Sequence, residues 1–145
     1  MKKKPKVVID TNVIVSGILT RNGYSAKIID AWMTGKYFVP VISNELISEI
    51  KEVLQRPKIK NRLSTHPKNI KLILGRLINQ SEKITIKKTV DGLFSDSKDH
   101  FLLELAVTAD AKIIVTGDSG IIQHMKYGEI FFQTPEQFCK KMEIS

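Results

Sequence analysis

Four acidic residues from four distant parts of the chain are the side chains best suited to chemistry. They are Asp10, Glu49, Asp99 and Asp118. Carboxylates gathered in one place repel one another and raise one another's pKa, so they need a cation. Oxygen ligands suit Mg²⁺ or Mn²⁺. The lone Cys139 excludes a cysteine-based zinc site, and the three histidines are scattered.

Two of these acids lie within two residues of the ends of predicted buried strands. Asp10 comes after the β-branched run at 6–9, and Asp118 follows the predicted core strand at 112–116. Parallel strands end at the same edge of a sheet, where open α/β sheets hold their ligands. We therefore expect Asp10 and Asp118 to lie at the carboxyl edge.

The other two acids belong to predicted helices that begin at that edge. Asp99 falls in the first turn of a helix over 96–110, and Glu49 lies six residues beyond Ser43, the predicted N-cap of a second helix. On a helical wheel Glu49 borders the apolar stripe, whereas the other acids of that helix face solvent. Glu49 is therefore the preferred candidate, and the reserve acids are Glu45 and Asp96.

Each acid also has an ordinary structural explanation. Asp10 and Asp118 could only cap the helices that follow them, and Asp99 could only favour the positive end of a helix dipole. Glu49 could belong to a solvated helix face. These separate explanations do not account for a shared predicted location, which favours a functional cluster.

The order of the elements predicts an α/β domain with a mostly parallel sheet. Pro40 lacks a ladder donor, so the strand at 37–42 is expected at an edge or a bulge. Residues 58–66 are expected to be a basic connector, and 83–87 a short edge strand. A single domain over 1–145 is expected, with a basic N-terminal arm at 1–5. The remaining predicted strand is at 129–132, and the helices are expected at 12–19, 25–35, 43–56, 67–81, 96–110, 119–125 and from Thr134 onward.

Composition limits the classes of function. The 145 residues carry 23 Lys and Arg against 15 Asp and Glu, a net charge of +8, which favours a polyanionic partner such as nucleic acid. No apolar run is long enough to cross a bilayer, and Asp10 interrupts the first apolar stretch before it could form a signal peptide. We expect a cytoplasmic protein. Phosphate-binding glycine loops are absent from the sequence.

The spacing of these residues resembles the PIN domain, specifically the VapC-like branch of toxins from type II toxin–antitoxin pairs. The similar stretches are Val8-Ile9-Asp10-Thr11-Asn12, Ser43 with Glu49, Asp99 with Ala106, Leu54-Gln55-Arg56-Pro57, Val115-Thr116-Gly117-Asp118 and Thr134-Pro135-Glu136. The resemblance implies a three-layer α/β/α sandwich with strand order 3-2-1-4-5. It also implies an endoribonuclease that uses Mg²⁺ or Mn²⁺ and whose catalytic, metal-binding quartet is the four acids named above.

The same resemblance implies supporting residues and partners. Asn12 and Thr116 would orient the acids from the second shell. The partners would be an RNA substrate, a cognate antitoxin protein and a second copy of the chain in a homodimer. The charge suggests RNA-binding residues outside the acidic site, namely Arg56, Lys58, Lys60 and Arg62. The alternative is a PIN-like module that binds RNA or a protein without cleaving.

Overall fold

The computed structural model describes residues 3–20, 22–63, 70–87 and 97–145; for 63 and 97–99 it describes the backbone alone. Within these ranges the strands are β1 (Lys6–Ile9), β2 (Val39–Ile42), β3 (Glu82–Lys83), β4 (Ile113–Val115), β5 (Lys126–Tyr127) and β6 (Ile130–Gln133). The helices are α1 (Thr11–Leu19), α2 (Tyr24–Thr34), α3 (Asn44–Gln55), α4 (Pro57–Leu63), α5 (Ile70–Asn79), α6 (Ser97–Ala109), α7 (Ser119–Ile122) and α8 (Pro135–Met142).

The strands form one sheet in the order β3-β2-β1-β4-β6-β5, with helices on both faces. All neighbours are parallel except β5, which pairs antiparallel with β6. The predicted α/β class is confirmed, and the predicted order 3-2-1-4-5 holds with β6 as its fifth strand. The sequence reading missed β5, a two-residue edge strand that turns into β6 through Gly128 at φ +56°.

Pro40 does not mark an edge, because β2 lies between β1 and β3. The Val39 N–H donates to the Pro5 carbonyl on the β1 side at 2.8 Å, so the nitrogen of Pro40 faces the β3 side. The pairing with β3 starts only at Val41. The missing donor of Pro40 therefore costs no ladder hydrogen bond.

The expected connector at 58–66 is wrong over its described part, because α4 occupies 57–63. Pro57 explains both the end of α3 and this new start. It holds Arg56 in extended geometry, at ψ 137°, which stops α3. The fixed φ of proline then suits the first position of a new helix. The expected strand at 83–87 is likewise shorter, since only Glu82–Lys83 pair with β2.

The core is a continuous set of buried apolar side chains from the sheet and both helical layers. Trp32 is buried in it, and its indole N–H lies 3.0 Å from the Leu77 carbonyl and 3.1 Å from the Ser81 hydroxyl. These contacts tie α2 to the end of α5. Among the described helices, none is both long and apolar enough to span a membrane.

Candidate metal centre

Asp10 lies at the carboxyl end of β1, where the sheet passes into α1. Its backbone N–H donates to the Val115 carbonyl of β4 at 2.9 Å, which fixes the residue at the sheet edge. Only 5% of Asp10 is exposed to solvent. A carboxylate at this depth needs compensation for its lost hydration.

Thr116 provides part of that compensation and connects two strand ends. Its hydroxyl donates to Oδ2 of Asp10 at 2.7 Å and accepts the Asp118 N–H at 3.1 Å. Thr116 is fully buried. One side chain therefore joins the end of β1 to the loop that follows β4.

Glu49 approaches Asp10 from α3. The helix begins at Ser43, whose side chain accepts the Leu46 N–H at 3.1 Å. Leu46 is buried, Glu49 is partly buried and Glu45 is exposed, in the arrangement that the helical wheel indicates. Glu49 is close enough to repel the carboxylate of Asp10 electrostatically.

The pKa of Asp10 is raised above its ordinary value. Burial is the main cause, and the negative charge of Glu49 adds to it. The hydrogen bond from Thr116 and the backbone N–H groups of Asn12 and Thr11 act in the opposite direction and lower the pKa. The net result is a carboxylate that gains stability from any nearby cation.

Asp118 has a second role that the sequence left open. It is exposed, and its Oδ1 accepts the Gly120 N–H at 2.7 Å, so it caps α7. Its connection to Asp10 runs through Thr116. The structure thus links the Asp118 backbone to Asp10 through Thr116 and gives the Asp118 side chain a capping function.

Two predicted site residues cannot be placed in the same way. Asp99 has its backbone in the first turn of α6, but its side chain lies outside the described part, as does all of Asp96. Among side chains that the structure describes, no three of His, Cys, Asp or Glu are grouped closely enough to hold an ion. Among the predicted acids whose side chains are described, Asp10 and Glu49 are the pair with an electrostatic interaction.

The two predicted supporting residues, Asn12 and Thr116, have different surroundings. Thr116 touches Asp10, whereas Asn12 is exposed and lines a groove together with Arg56, Lys58 and Arg62. Sequence reasoning missed Thr11, whose buried hydroxyl oxygen has no hydrogen-bond partner within the described residues. In the sequence, the signal for Thr11 was its position directly after Asp10, at the start of a helix.

Comparison with protein families gives a match over most of the chain. The model of the PIN domain matches residues 6–120, about four fifths of the chain. The chain belongs to the PIN domain family. The matched range contains all four predicted acids.

Two further comparisons place this PIN domain among known proteins. It is 29% identical over 150 residues to the uncharacterized protein MJ1680 of Methanocaldococcus jannaschii, covering 98% of this chain and 94% of that protein. Its fold is similar to a chain in the crystal structure of VapBC2 from Rickettsia felis bound to a DNA fragment from their promoter. That match has a TM-score of 0.58 at 15% identity and covers 89% of this chain and 98% of that one.

The donor atoms of this PIN domain fit a hard divalent cation. Mg²⁺ is commonly held by one or two carboxylates, with water filling its other positions. The mutually repelling carboxylates of Asp10 and Glu49 meet that requirement.

Proposed function

We propose that this PIN domain is a metal-dependent endoribonuclease. The observation that carries the proposal is the buried Asp10 carboxylate at the carboxyl edge of the sheet, which accepts a hydrogen bond from Thr116 at 2.7 Å and is repelled by partly buried Glu49. Such an arrangement reduces the stability of the fold unless a cation neutralises it, and functional sites are where such pKa shifts concentrate. The net charge of +8 suits an RNA substrate.

In this proposal Asp10 and Glu49 hold Mg²⁺ or Mn²⁺, and Asp99 and Asp118 complete the quartet. The bound ion would lower the pKa of a water and neutralise charge on the scissile phosphate. Thr116 fixes one oxygen of Asp10, and the Gly120 N–H fixes one oxygen of Asp118. Attack of water on phosphorus with cleavage of the bond to the 3′ oxygen would leave 5′-phosphate and 3′-hydroxyl ends.

We also propose that the protein acts as the toxin of a toxin–antitoxin pair. The similarity of its fold to the VapBC2 chain supports this role, with an antitoxin protein and a homodimer as its assemblies. Induced expression of the wild type is expected to arrest growth of a bacterial host, whereas Asp10→Asn is not. Equal growth of both strains at equal protein levels would contradict the toxin role.

The direct test of the nuclease is cleavage of a labelled unstructured RNA. We expect cleavage with Mg²⁺ or Mn²⁺, none with excess chelator, and a loss of at least about a hundredfold in Asp10→Asn, because a metal ligand contributes several kcal/mol to the transition state. Cleavage that continues in chelator would overturn the proposal.

A matched pair of variants on α3 controls for nonspecific charge effects. Glu49→Gln is expected to lose activity like Asp10→Asn, and Glu45→Gln, one turn earlier and exposed, is expected to keep it. Equal losses in both would reject Glu49 as the site residue. RNA binding without cleavage under any divalent ion would instead establish the alternative, a PIN domain that binds without cutting.

A further inference from the structure

A pocket lies between the loop after α7, the β5–β6 hairpin and α8. Its volume is about 560 Å³, within the range of small-molecule binding pockets. Its lining includes Met125, Lys126, Phe131 and Gln133, and acidic residues are absent from the described part of that lining. The metal chemistry proposed above uses none of these four side chains.

Two large apolar side chains of this pocket are exposed to solvent. Met125 is 73% exposed and Phe131 is 47% exposed. Met125 also has a φ of +63°, in the left-handed region that is unfavourable for a residue with a side chain. Its N–H donates to the Ile122 carbonyl at 2.9 Å, so a closed turn presents the side chain outward. Exposed apolar side chains held in this way favour a ligand with an apolar surface.

The ring of Phe131 has cations beside it. Nζ of Lys141 lies 5.8 Å from the ring centroid, within the reach of a cation–π contact. Lys126 is directly opposite Phe131 in the β5–β6 pair and therefore lies on the same face of the sheet. Lys126 is exposed and forms no ion pair with the residues that the structure describes. An accessible ring next to cations suits a stacked base and its phosphate.

Gln133 adds an amide to the same pocket. It lies two residues after Phe131 on β6, so the two side chains share one face of the sheet. Its Oε1 is buried and has no hydrogen-bond partner within the described ranges. An amide carries donors and an acceptor, and rotation about its last bond lets either atom face a ligand. It can therefore pair with the edge of a base, which is polar, while the ring of Phe131 contacts the apolar base face.

The pocket is connected to the acidic edge through β6. The Gln133 carbonyl accepts the Thr116 N–H at 2.9 Å, and the Thr116 hydroxyl donates to Asp10. Strand β4 lies between β1 and β6, so β6 is about 10 Å from β1, or two strand spacings. An RNA bound at Asp10 can therefore reach the pocket with a nearby nucleotide.

We infer that this pocket binds one base of the RNA near the cleaved bond, with the base on Phe131, its edge on Gln133 and a phosphate on Lys126. The inference rests on the proposed nuclease and adds a site that selects among bases. A second copy of the chain fits less well, because a twofold interface would place the cations of this patch opposite one another.

The test measures binding with cleavage switched off. Each variant is made in the Asp10→Asn background and titrated, in chelator, with labelled homopolymeric oligoribonucleotides of A, C and U. We expect Phe131→Leu to weaken binding about tenfold, because leucine keeps an apolar surface but removes the stacking ring. Phe131→Tyr keeps the ring and is expected to bind like its parent. Lys126→Ala should reduce the slope of log affinity against log salt by about 0.7, the value for one phosphate contact.

Gln133→Ala tests the selection among bases. We expect the parent to bind the three RNAs with different affinities, and Gln133→Ala to reduce those differences. Gln123→Ala is the matched control, because it removes the same side chain from an exposed position outside the described lining. It is expected to leave the differences unchanged. Thermal unfolding of each variant checks that the fold is intact.

Three results would overturn the inference. Equal affinities in Phe131→Leu and Phe131→Tyr would exclude a stacked base and leave the pocket to a protein partner. Equal effects of Gln133→Ala and Gln123→Ala, or a parent that binds the three RNAs equally, would exclude the selection of a base by Gln133.

Failure of this inference differs from failure of the proposed nuclease. If metal-dependent cleavage is present but Phe131→Leu binds and cuts RNA like the wild type, the pocket assignment alone is wrong. If Phe131→Leu loses binding as expected but no divalent ion supports cleavage, the pocket stands and the nuclease proposal is wrong.

Discussion

At the scale of single residues, Asp10 shows a conflict between stability and chemistry. Its pKa is raised, mainly by burial and further by Glu49, so its ionised form is disfavoured in the folded protein. The folded state consequently holds the proton more tightly than the unfolded state does. The stability associated with that proton is present below the unfolded pKa, near 3.8, and is lost as pH rises through the raised folded value.

Because the folded state disfavours the ionised form of Asp10, removing this charge should stabilise the fold. Without divalent ions at neutral pH, Asp10→Asn is expected to be more stable than the wild type by on the order of 1 kcal/mol, because asparagine keeps the acceptor for Thr116 and removes the charge. The advantage should shrink as pH falls to about the unfolded value of 3.8, because the folded protein then holds Asp10 in its protonated form. Urea unfolding at both pH values in chelator measures it.

The control for that prediction is Asp30→Asn, which removes an exposed carboxylate from α2. It is expected to change stability by less than about 0.5 kcal/mol at either pH. A wild type more stable than Asp10→Asn at neutral pH without metal would show that Asp10 is not under electrostatic stress.

For single residues, the sequence predicted side-chain burial correctly where the periodicity of one helix determines it. The helical wheel separated partly buried Glu49 from exposed Glu45 because α3 is regular from its cap to its end. It could not find the unpartnered hydroxyl of Thr11, nor separate Lys58, which lines the groove with Asn12, from Lys60, which is not part of that described lining, because both depend on contacts between elements. The roles of the four acids stay predictions.

At the scale of elements, the close packing of α1 on α2 positions Asp10. Gly17 of α1 makes this approach possible, since a Cβ there would clash with Ile29 Cγ1 and lie 2.5 Å from the Ser25 carbonyl oxygen. Ser25 and Ile29 both belong to α2. The Ser25 carbonyl is part of the backbone, so it cannot rotate away from an added Cβ. The contact therefore requires glycine at this position.

A pair of glycine substitutions tests this packing. Gly17→Ala is expected to destabilise the fold by about 1–3 kcal/mol through overpacking. Gly75→Ala on α5, where nothing lies within 4 Å of an added Cβ, is expected to stabilise it by about 0.5–1 kcal/mol through higher helix propensity. Chemical denaturation measures both, and stabilisation by Gly17→Ala would refute the close approach.

Two prolines show why some element boundaries were predicted correctly and others were not. Pro57 correctly marked the end of α3, but its ability to begin α4 depends on Ile59 packing against the core. Pro40 suggested an edge because a ladder donor is missing. Pro40 is tolerated inside the sheet because β3 pairs with β2 only from Val41 onward. The local sequence gives no signal of where this pairing begins.

At the scale of the whole molecule, the parallel order of the sheet brings Asp10 and Thr116 together. Strands β1 and β4 are neighbours, so Asp10 and Thr116 meet although 106 positions separate them. The alternation of strands and helices was enough to predict this edge, because right-handed crossovers leave few other topologies. The β5–β6 hairpin was missed since a two-residue strand carries almost no periodicity.

Basic and acidic side chains lie in different places in this chain. The chain carries a net charge of +8, whereas Asp10 and Glu49 repel each other at the sheet edge. Arg56, Lys58 and Arg62 line a groove together with Asn12. A polyanion held by the cations and a small cation held by the acids are complementary requirements. Both follow from where the fold places charge.

A crystal soaked in Mn²⁺ and measured at the manganese absorption edge would locate the cation. We expect an anomalous peak in contact with carboxylate oxygens of Asp10 and Glu49, and loss of that peak in Glu49→Gln. Manganese bound elsewhere, or bound in the same place after Glu49→Gln, would contradict a cation shared by these two acids.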